Sequence, residues 1–336
     1  MPLPRVAVVF TGGTISTVFD PVAGGNVPVL DGAAILARTP GLDAIAEVVA
    51  IDRGRIPASH FTFSQLLEIA SVVRTALEDP SVDGAVIVQG TDTIEETSFC
   101  WDLVLRGDKP VVVTGAMRSS DEPGFDGPAN LRDAIRIAAS PGARSLGVVV
   151  SLGGTIEPAD DVTKLHATAL DTFASPNGGS LGRVTPAGVS LLRARAGRRL
   201  VATDRAAEHV HLVTATVAMD ARLLDAAFDI GADGIVVAAT GSGNTSQELL
   251  VAAERAIRAG IPVALASRCP AGRATAGYAF PGGGANWLRA GALPVGHLCA
   301  LKARVALALG LGAGLDRDGL VALLADPVGP SPARGR

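Results

Sequence analysis

A pair of glycines flanked by threonines follows an apolar run near the start of the chain, in the segment VVFTGGTIST at residues 8–17. Gly12 and Gly13 can adopt backbone angles that a β-carbon forbids. The turn would therefore present Thr11 and Thr14 at the carboxyl end of a strand, where α/β sheets bind ligands. A phosphate cradle, a hydroxyl nucleophile and a plain turn capped by hydroxyls all fit these residues. A P-loop is excluded because Gly-Lys-Ser/Thr is absent, and the third glycine of the dinucleotide fingerprint is missing.

The segment VQGTDTIEET at residues 88–97 repeats this arrangement after a second apolar run. Gly90 precedes Thr91 and Asp92, and two glutamates then open a predicted helix, whose N-terminus favours negative charge. Alone, the segment would fit an N-capped helix that follows a strand. Two Gly-Thr turns at the ends of two parallel strands in one domain favour a shared site instead.

A lysine in the segment DDVTKLH, residues 160–166, follows another predicted strand and should reach the same side of the sheet. Most single lysines are solvated surface charges. A lysine that is desolvated close to Asp92 could instead activate a hydroxyl group. Lys164 is therefore the third candidate for chemistry.

The histidines and cysteines give no metal or disulfide pattern. The segment HVH at 209–211 could place two rings on one face of a strand, but it has no acidic or cysteine partner nearby, so strand packing is favoured. The segment GSGNTS at 241–246 weakly resembles a nucleotide loop and lacks the final glycine. We expect the three cysteines to be buried small hydrophobic residues: Cys100, Cys269 and Cys299.

The composition is that of a globular protein. The 336 residues are enough for two domains or one large unit, and 48% of them are hydrophobic. A net charge of −4 gives no electrostatic case for nucleic acid or for an anionic membrane. The chain begins on the strand RVAVVF, without a signal-peptide pattern or a membrane-spanning stretch, so we expect a cytoplasmic protein. A mature protein trimmed of its signal would have the same sequence.

Short apolar runs alternate with helical patterns, which predicts an α/β fold in two domains. The larger N-terminal domain, residues 1–190, has a parallel sheet and carries the candidate site. An Arg-rich stretch at 185–209 lacks periodicity and is interpreted as a connector, with a linker at 191–209. The smaller C-terminal α/β domain spans 210–336, and its last ten or so residues are expected to be disordered. The predicted strands are 5–10, 84–89, 110–114, 146–151, 210–215, 234–239 and 261–266, and the predicted helices are 64–79, 130–139, 220–228, 246–258 and 298–309.

Six motifs occur in an order that resembles the bacterial L-asparaginase/glutaminase family. They are TGGTI at 11–15, QGTDT at 89–93, GAMR at 115–118, DGPxN at 126–130, DVTK at 161–164 and G-x-G-N at 241–244. The resemblance extends over nearly the whole chain, from TGGTIS to KARVAL at 302–307. Of the three interpretations of the TGGT turn, the resemblance implies the second: the glycines present a hydroxyl nucleophile and do not form a phosphate cradle.

The resemblance implies a two-domain α/β amidohydrolase that converts L-asparagine to L-aspartate and ammonia without a metal or organic cofactor. By similarity, Thr14 attacks the amide to form an acyl-enzyme that water then hydrolyses. Thr91, Asp92 and Lys164 form a second cluster, in which Asp92 also meets the substrate's α-amino group and Thr91 orients or activates water. Family members have been interpreted with either threonine as the first nucleophile, and we favour Thr14. Backbone amides near Thr14 and Ala116 are candidate oxyanion donors.

The resemblance also implies that the active site is shared between subunits. Asn244 matches a residue that reaches a neighbouring subunit's site, which implies a homodimer or a homotetramer built as a dimer of dimers. The only other partner expected is a small amide substrate, with no nucleic acid and no membrane. The substrate-binding residues implied are Gly13, Ala58, Ser59, Gly90, Thr91, Asp92, Ala116, Asn244 and Tyr278.

Three departures from the family pattern concern groups around the nucleophile. The segment after TGGTI, expected to be a mobile loop at 18–30, has no tyrosine, and Tyr278 is the only tyrosine of the chain. Ala58 stands where a substrate-binding serine is expected, with Ser59 beside it, and a glutamate expected near residue 279 is missing. These departures leave the preferred substrate and the reaction rate open, and they affect the expected class of reaction less. The candidates to replace the loop tyrosine are Ser16, Thr17 and Tyr278.

Other functions stay open from the sequence. An enzyme of the same chemistry could act on another small amide, such as L-glutamine or D-asparagine. A catalytically weak homologue could act as an amino-acid sensor or as a component of an amidotransferase. The retained hydroxyls and lysine favour catalysis, because a binding protein has no need of all of them. Binding of NAD would depend on residues 241–246 alone.

Overall fold

The computed structural model describes residues 2–327, and the chain forms two compact units. The first unit ends at Arg195 and the second begins at Ala196. Of the tail that was expected to be disordered, residues 328–336 lie outside the described part of the chain.

The first unit alternates strands and helices around an extended sheet. Three 3₁₀ turns at Thr14–Ser16, Ala58–His60 and Pro141–Ala143 complete it. Its elements are β1 (Arg5–Phe10), β2 (Thr17–Asp20), β3 (Gly25–Pro28), α1 (Gly32–Ala37), β4 (Glu47–Asp52), α2 (Phe63–Glu78), β5 (Gly84–Val88), α3 (Ile94–Val104), β6 (Val111–Thr114), α4 (Gly127–Ala138), β7 (Val148–Val150), β8 (Thr155–Pro158), β9 (Thr163–Lys164), β10 (Phe173–Ala174), β11 (Gly182–Thr185) and β12 (Gly188–Leu191).

The main sheet has eight strands in the order β12-β11-β8-β7-β6-β5-β1-β4. The five strands from β7 to β4 pair in parallel, and β8, β11 and β12 continue the sheet as antiparallel strands. Strands β5, β6 and β7 are entirely buried, as is typical of parallel strands covered by helices on both faces. Because β1, β5, β6 and β7 are parallel neighbours, the turns that follow them lie at one edge of the sheet.

The second unit contains a four-stranded parallel sheet in the order β13-β14-β15-β16. Its core includes the buried Trp287 and the apolar strands of this sheet. Its elements are β13 (Val210–Thr214), α5 (Arg222–Asp229), β14 (Gly234–Ala239), α6 (Gln247–Arg258), β15 (Val263–Ser267), α7 (Gly284–Arg289), β16 (Leu293–Pro294), α8 (Ala300–Gly312) and α9 (Arg317–Leu324).

The two-domain α/β class predicted from the sequence is confirmed, and each predicted strand and helix has a counterpart shifted by a few residues at most. Two interpretations were wrong. The stretch 185–209 was interpreted as a connector, but its first residues contain β12, which pairs with β11 in a hairpin, and only residues 192–209 are without a helix or strand. The segment 18–30 was expected to be a loop, but most of it forms the antiparallel hairpin of β2 and β3. Both hairpins consist of four-residue strands without a regular apolar pattern, so periodicity does not reveal them.

The expectation for the cysteines also needs correction. Cys100 is buried, and burial raises the pKa of its thiol to about 12. Cys299 is only half-buried and Cys269 is exposed, because Cys269 lies in the turn beyond the end of the buried strand β15. Within residues 2–327 no helix is long and apolar enough to cross a membrane.

Candidate active site

Close approach of the backbone brings the two Gly-Thr turns together. A β-carbon on Gly13, where φ is +92°, would overlap the backbone of Gln89 and Gly90. A β-carbon on Gly90 would lie 2.9 Å from the Cβ of Ala58. Glycine is therefore required at both positions for the TGGT turn, the GTD turn and the 3₁₀ turn at Ala58 to meet. Thr11 also joins the first two turns, since its backbone N–H and its hydroxyl both donate to the carbonyl of Val88.

The two threonines of TGGT have different environments. Thr11 is buried and its hydroxyl is used by the sheet, 3.0 Å from the carbonyl oxygen of Val88. Thr14 opens a 3₁₀ turn, is half-buried, and its hydroxyl has no hydrogen-bond partner among the described residues. The Thr14 carbonyl, by contrast, accepts from the hydroxyl of Thr17 at 2.8 Å. Of the two, only Thr14 offers a free hydroxyl to a ligand.

Thr91, Asp92 and Lys164 form one hydrogen-bonded cluster. The Lys164 ammonium donates to the Thr91 hydroxyl at 3.0 Å and to the Asp92 carboxylate at 2.9 Å. Thr91 is buried and the Lys164 side chain is 12% exposed, whereas the Asp92 side chain is 75% exposed. The lysine is therefore not a solvated surface charge, and the carboxylate still has an open face on which a cationic group could bind.

Secondary structure fixes this cluster from both sides. Asp92 precedes α3, whose positive N-terminal dipole favours its charge. Lys164 lies on β9, which pairs antiparallel with β10, and Lys164 is directly opposite Phe173. Helix α3 also contacts β9. Neither half of the cluster can move without disturbing a paired or helical element.

Two buried segments complete the wall of the site. Ala58 is buried, and its carbonyl accepts from the Thr93 hydroxyl at 3.0 Å, while the neighbouring Ser59 is exposed. Ala116 is buried in the turn after β6. Within residues 2–327 the backbone N–H groups of Thr14 and Ala116 have no protein acceptor, so both donors are free for a ligand oxygen.

The segment that leads to Ala58 is held by a carboxylate at the end of β4. Asp52 accepts from the backbone N–H of Gly32 at 3.0 Å and of Gly54 at 2.9 Å. These two bonds hold the pKa of Asp52 below its usual value, with a smaller contribution from Arg55. The carboxylate therefore stays ionised and anchors the turn that approaches Gly12, whose β-carbon would lie 2.8 Å from the Cα of Arg55.

The hairpin of β2 and β3 is docked onto the turn after β6 by Thr17 and by three residues that the sequence did not indicate, Ser119, Ser120 and Asp121. The hydroxyls of Thr17 and Ser119 lie 2.9 Å apart, the Ser120 backbone N–H and hydroxyl both donate to the Thr17 carbonyl, and the Phe19 N–H donates to Asp121. The signal available in the sequence is the run Ser-Ser-Asp directly after GAMR. Such short polar side chains commonly bind nearby backbone groups.

Two of the three candidates to replace the loop tyrosine lie beside Thr14. The Ser16 hydroxyl donates to the Gly13 carbonyl at 2.6 Å and its side chain is buried. The Thr17 hydroxyl lies between the Thr14 carbonyl and Ser119. Tyr278 belongs to the second unit, where it is exposed and its ring centroid lies 5.7 Å from that of Phe280.

Asn244 also belongs to the second unit, in the turn after β14. It is half-buried, and its side-chain oxygen accepts from the Gly284 N–H at 3.4 Å. The first unit thus contains eight of the predicted residues close together, whereas Asn244 and Tyr278 belong to the second unit. The eight residues are Gly13, Thr14, Ala58, Gly90, Thr91, Asp92, Ala116 and Lys164.

Among residues 2–327 no group of three or more His, Cys, Asp or Glu could hold a metal ion.

Family models match both units of the chain. The model described as "Asparaginase, N-terminal" matches residues 5–196, and that of the "Glutaminase/Asparaginase C-terminal domain" matches residues 209–324. This chain belongs to the asparaginase/glutaminase family.

The relatives of this chain are named as different kinds of protein. The chain is 35% identical to a "Probable L-asparaginase" of Deinococcus radiodurans over 323 residues, which cover 94% of this chain and 95% of that protein. It is 32% identical over 284 residues to a "Probable L-asparaginase periplasmic" of Haemophilus influenzae, with 81% and 80% covered. It is also 32% identical over 307 residues to a glutamyl-tRNA(Gln) amidotransferase subunit of Methanothermobacter thermautotrophicus, with 87% of this chain and 68% of that protein covered. The names of these relatives therefore agree neither on one substrate nor on one activity.

Proposed function

We propose that this protein is an L-asparaginase, which hydrolyses L-asparagine to L-aspartate and ammonia through a threonine nucleophile. One observation carries the proposal most: the Lys164 ammonium binds both Thr91 and Asp92, beside a turn in which the Thr14 hydroxyl has no partner among the residues that the structure describes. Two hydroxyls with a lysine and a carboxylate between strand ends supply a nucleophile, a proton relay and a charged anchor in one place.

In the first half of the reaction, the Thr14 oxygen forms a bond to the amide carbon of the substrate. The carbon–nitrogen bond then breaks, and the nitrogen takes up the proton given up by the hydroxyl and leaves as ammonia. The negative charge that develops on the substrate oxygen would be stabilised by the free N–H groups of Thr14 and Ala116. Fixed donors of this kind act without reorganisation and account for large rate effects.

In the second half, water adds to the acyl carbon and the bond to Thr14 breaks, which returns a proton to the threonine and releases the acid. Thr91 is the group that orients the water, because its hydroxyl accepts from Lys164 and is thereby directed. The exposed face of Asp92 binds the α-ammonium of the substrate. The reverse assignment, with Thr91 as the first nucleophile, is the alternative.

Another substrate is the second candidate, and two observations favour it. Ala58 offers no hydroxyl at the wall of the site, and the chain resembles the Methanothermobacter amidotransferase subunit as closely as it resembles the Haemophilus asparaginase. L-Glutamine, D-asparagine or another small amide would be cleaved by the same steps. A catalytically weak amino-acid-binding homologue is the remaining alternative.

The assembly follows from the same proposal. Asn244 completes the site of a neighbouring subunit, and Tyr278 is a further candidate contact to the substrate. The protein is then a homodimer or a homotetramer, and light scattering tests this because a clean monomer would contradict the shared site. A cytoplasmic location is part of the proposal, although the Haemophilus relative is named periplasmic, and fractionation of the source cells tests it.

The experiment that tests the proposed activity is ammonia release by the purified protein from L-asparagine, L-glutamine and D-asparagine in parallel. We expect L-asparagine to give the highest kcat/KM. A preference for either other amide would assign the alternative substrate, and ammonia release from none of the three would contradict the proposed activity.

A further inference from the structure

An aspartate at the start of α4 is used in an unusual way. Asp126 is the N-cap residue of this helix, where an aspartate ordinarily accepts from the first-turn N–H groups, yet its side chain makes no capping bond. Instead its two oxygens accept from the backbone N–H of Met117 at 3.1 and 3.0 Å, and one of them accepts from Arg118 at 3.0 Å. The carboxylate therefore holds the backbone of the turn after β6 rather than its own helix.

Asn130, one helical turn later, extends this network to a second strand end. Asn130 is 3% exposed, and its side-chain nitrogen donates to the Gly115 carbonyl at 3.0 Å and to Asp126 at 2.9 Å. Its oxygen accepts from the Gly153 N–H at 3.0 Å. The orientation of the amide is fixed, since Gly153 N–H can only donate and the Gly115 carbonyl can only accept. Asn130 thus ties the end of β6 to the turn after β7.

The turn after β6 contacts the candidate active site, and the turn after β7 is connected to it along the chain. A β-carbon on Gly115 would lie 3.3 Å from the Cγ2 of Thr91 and would overlap the Gln89 carbonyl, so this backbone is in direct contact with the Thr91 turn. The turn at Gly153 leads through β8 to β9, which carries Lys164. The segment between Gly115 and Arg118 also contains Ala116, whose N–H is a proposed oxyanion donor.

We propose that Asp126 and Asn130 are positioning residues for turnover, which hold the backbone of residues 115–118 in the geometry that the site requires. This inference rests on the proposed function. Neither residue touches the reacting atoms in that function; each acts through the backbone that carries Ala116 and supports Thr91. Displacements of about 1 Å in such a segment reduce rates about 100-fold.

The donors and acceptors of the network suggest an experiment in which the side chains at positions 126 and 130 are swapped, first singly and then together. In Asp126→Asn, an amide nitrogen would face the amide nitrogen of Asn130, and in Asn130→Asp two carboxylates would face each other. Combining both changes restores one donor opposite one acceptor between the two positions and keeps the acceptor for Gly153, while Gly115 loses its donor and Met117 keeps one of its two acceptor oxygens. A positioning role therefore predicts a kcat for the double variant about 10-fold above that of Asn130→Asp.

For Asp126→Asn and for Asn130→Asp we expect a kcat about 100-fold lower than that of the wild type, with KM changed less than about threefold. Asp126→Glu keeps the charge and displaces the oxygens by one methylene, so it should fold and still lower kcat about 10-fold. The matched control is Asp316→Asn, because Asp316 caps α9 in the ordinary way by accepting from Gly319 and lies in the second unit. Asparagine caps helices equally well, so this control should keep its kcat.

Amide exchange, measured by mass spectrometry on the peptide that spans residues 115–126, separates failure of this inference from failure of the proposed function. We expect faster exchange at Met117 and Arg118 in Asp126→Glu, whatever the activity of the wild type. Unchanged exchange would overturn the inference, and so would faster exchange with a kcat within threefold of the wild type. A wild type that releases no ammonia from any tested amide overturns the proposed function, and with it the catalytic purpose of the network.

Discussion

The Lys164 ammonium lies 3.0 Å from the hydroxyl oxygen of Thr91, across a separation of 73 residues in the chain. The same nitrogen binds Asp92, so one cation holds a hydroxyl and a carboxylate at the N-terminal end of α3. This contact joins the two segments on which the proposed reaction depends.

Replacement of Lys164 by methionine should lower kcat by about 10³-fold, because the hydroxyl of Thr91 loses its donor and the charge beside Asp92 disappears. Steady-state ammonia release measures this. Lys109→Met is the matched control, since within residues 2–327 Lys109 donates only to the carbonyls of Leu77 and Asp79, and it precedes the amino end of β6. If the two variants had similar rates, Lys164 would be only a structural charge.

Replacement of Gly13 by alanine should abolish most activity and lower the melting temperature, because the new methyl group would overlap the backbone of Gly90 at a φ of +92°. Gly24→Ala is the control, because Gly24 has a φ of +68° but no atom beyond its chain neighbours within 4 Å of the place that a methyl group would take. We expect this control to keep its kcat within about threefold at a cost of about 1 kcal/mol. Equal activity losses in the two variants would contradict the close approach of the two turns as the cause.

Thr17→Val should raise KM about fivefold, because the β2–β3 hairpin loses the hydroxyl that joins the Thr14 carbonyl to Ser119. Adding Ser119→Ala should change little further, since both side chains belong to the same contact. Thr185→Val removes a hydroxyl from the other hairpin, where it donates to Gly188, and serves as the control. Fully additive effects of the two changes on KM would show that Thr17 and Ser119 act separately.

The stability of the protein should depend on pH through Glu157. Burial raises the pKa of Glu157 above its ordinary value of 4.5, although the Ser175 hydroxyl, which donates at 2.6 Å, opposes this. The folded state then binds a proton more readily than the unfolded state, so the stability that this group contributes below pH 4.5 is lost as pH rises through the folded pKa.

Glu157→Gln should therefore melt about 2 °C above the wild type at pH 7, with a smaller difference at pH 4. Thermal unfolding at several pH values measures this. Glu78→Gln, at the exposed end of α2, is the control that should show no such trend. A difference independent of pH would contradict the role assigned to the charge.

The sequence predicts the α/β class and its regular elements because strong patterns carry them. The helix α2 has an apolar face and a stop before Pro80, and β5 is an uninterrupted apolar run. The edge hairpins lack such patterns. In β11 and β12 most side chains are half-buried or exposed, so no alternation marks them, and Pro186 and Gly188 are the only turn signal.

The sequence predicts the candidate reacting residues of the site, but not the residues that hold the surrounding backbone in place. Thr14, Thr91 and Lys164 stand out in the sequence because each of the two Gly-Thr turns follows an apolar run and the lysine comes shortly after a third one. Residues such as Asp126 are not marked as functional by their type, since an aspartate before a helix ordinarily acts as a cap. That its carboxylate turns back to Met117 is a property of the folded chain alone.

Ammonia release from L-asparagine by the wild type, Thr14→Ala and Thr91→Ala, with each variant shown to be folded by circular dichroism, tests the central claim most directly. We predict turnover by the wild type and a loss of about 10⁴-fold or more in each variant, because each change removes a hydroxyl that the reaction uses. Turnover near the wild-type rate in either variant would contradict the role proposed for that threonine, and in both it would contradict the threonine mechanism as a whole.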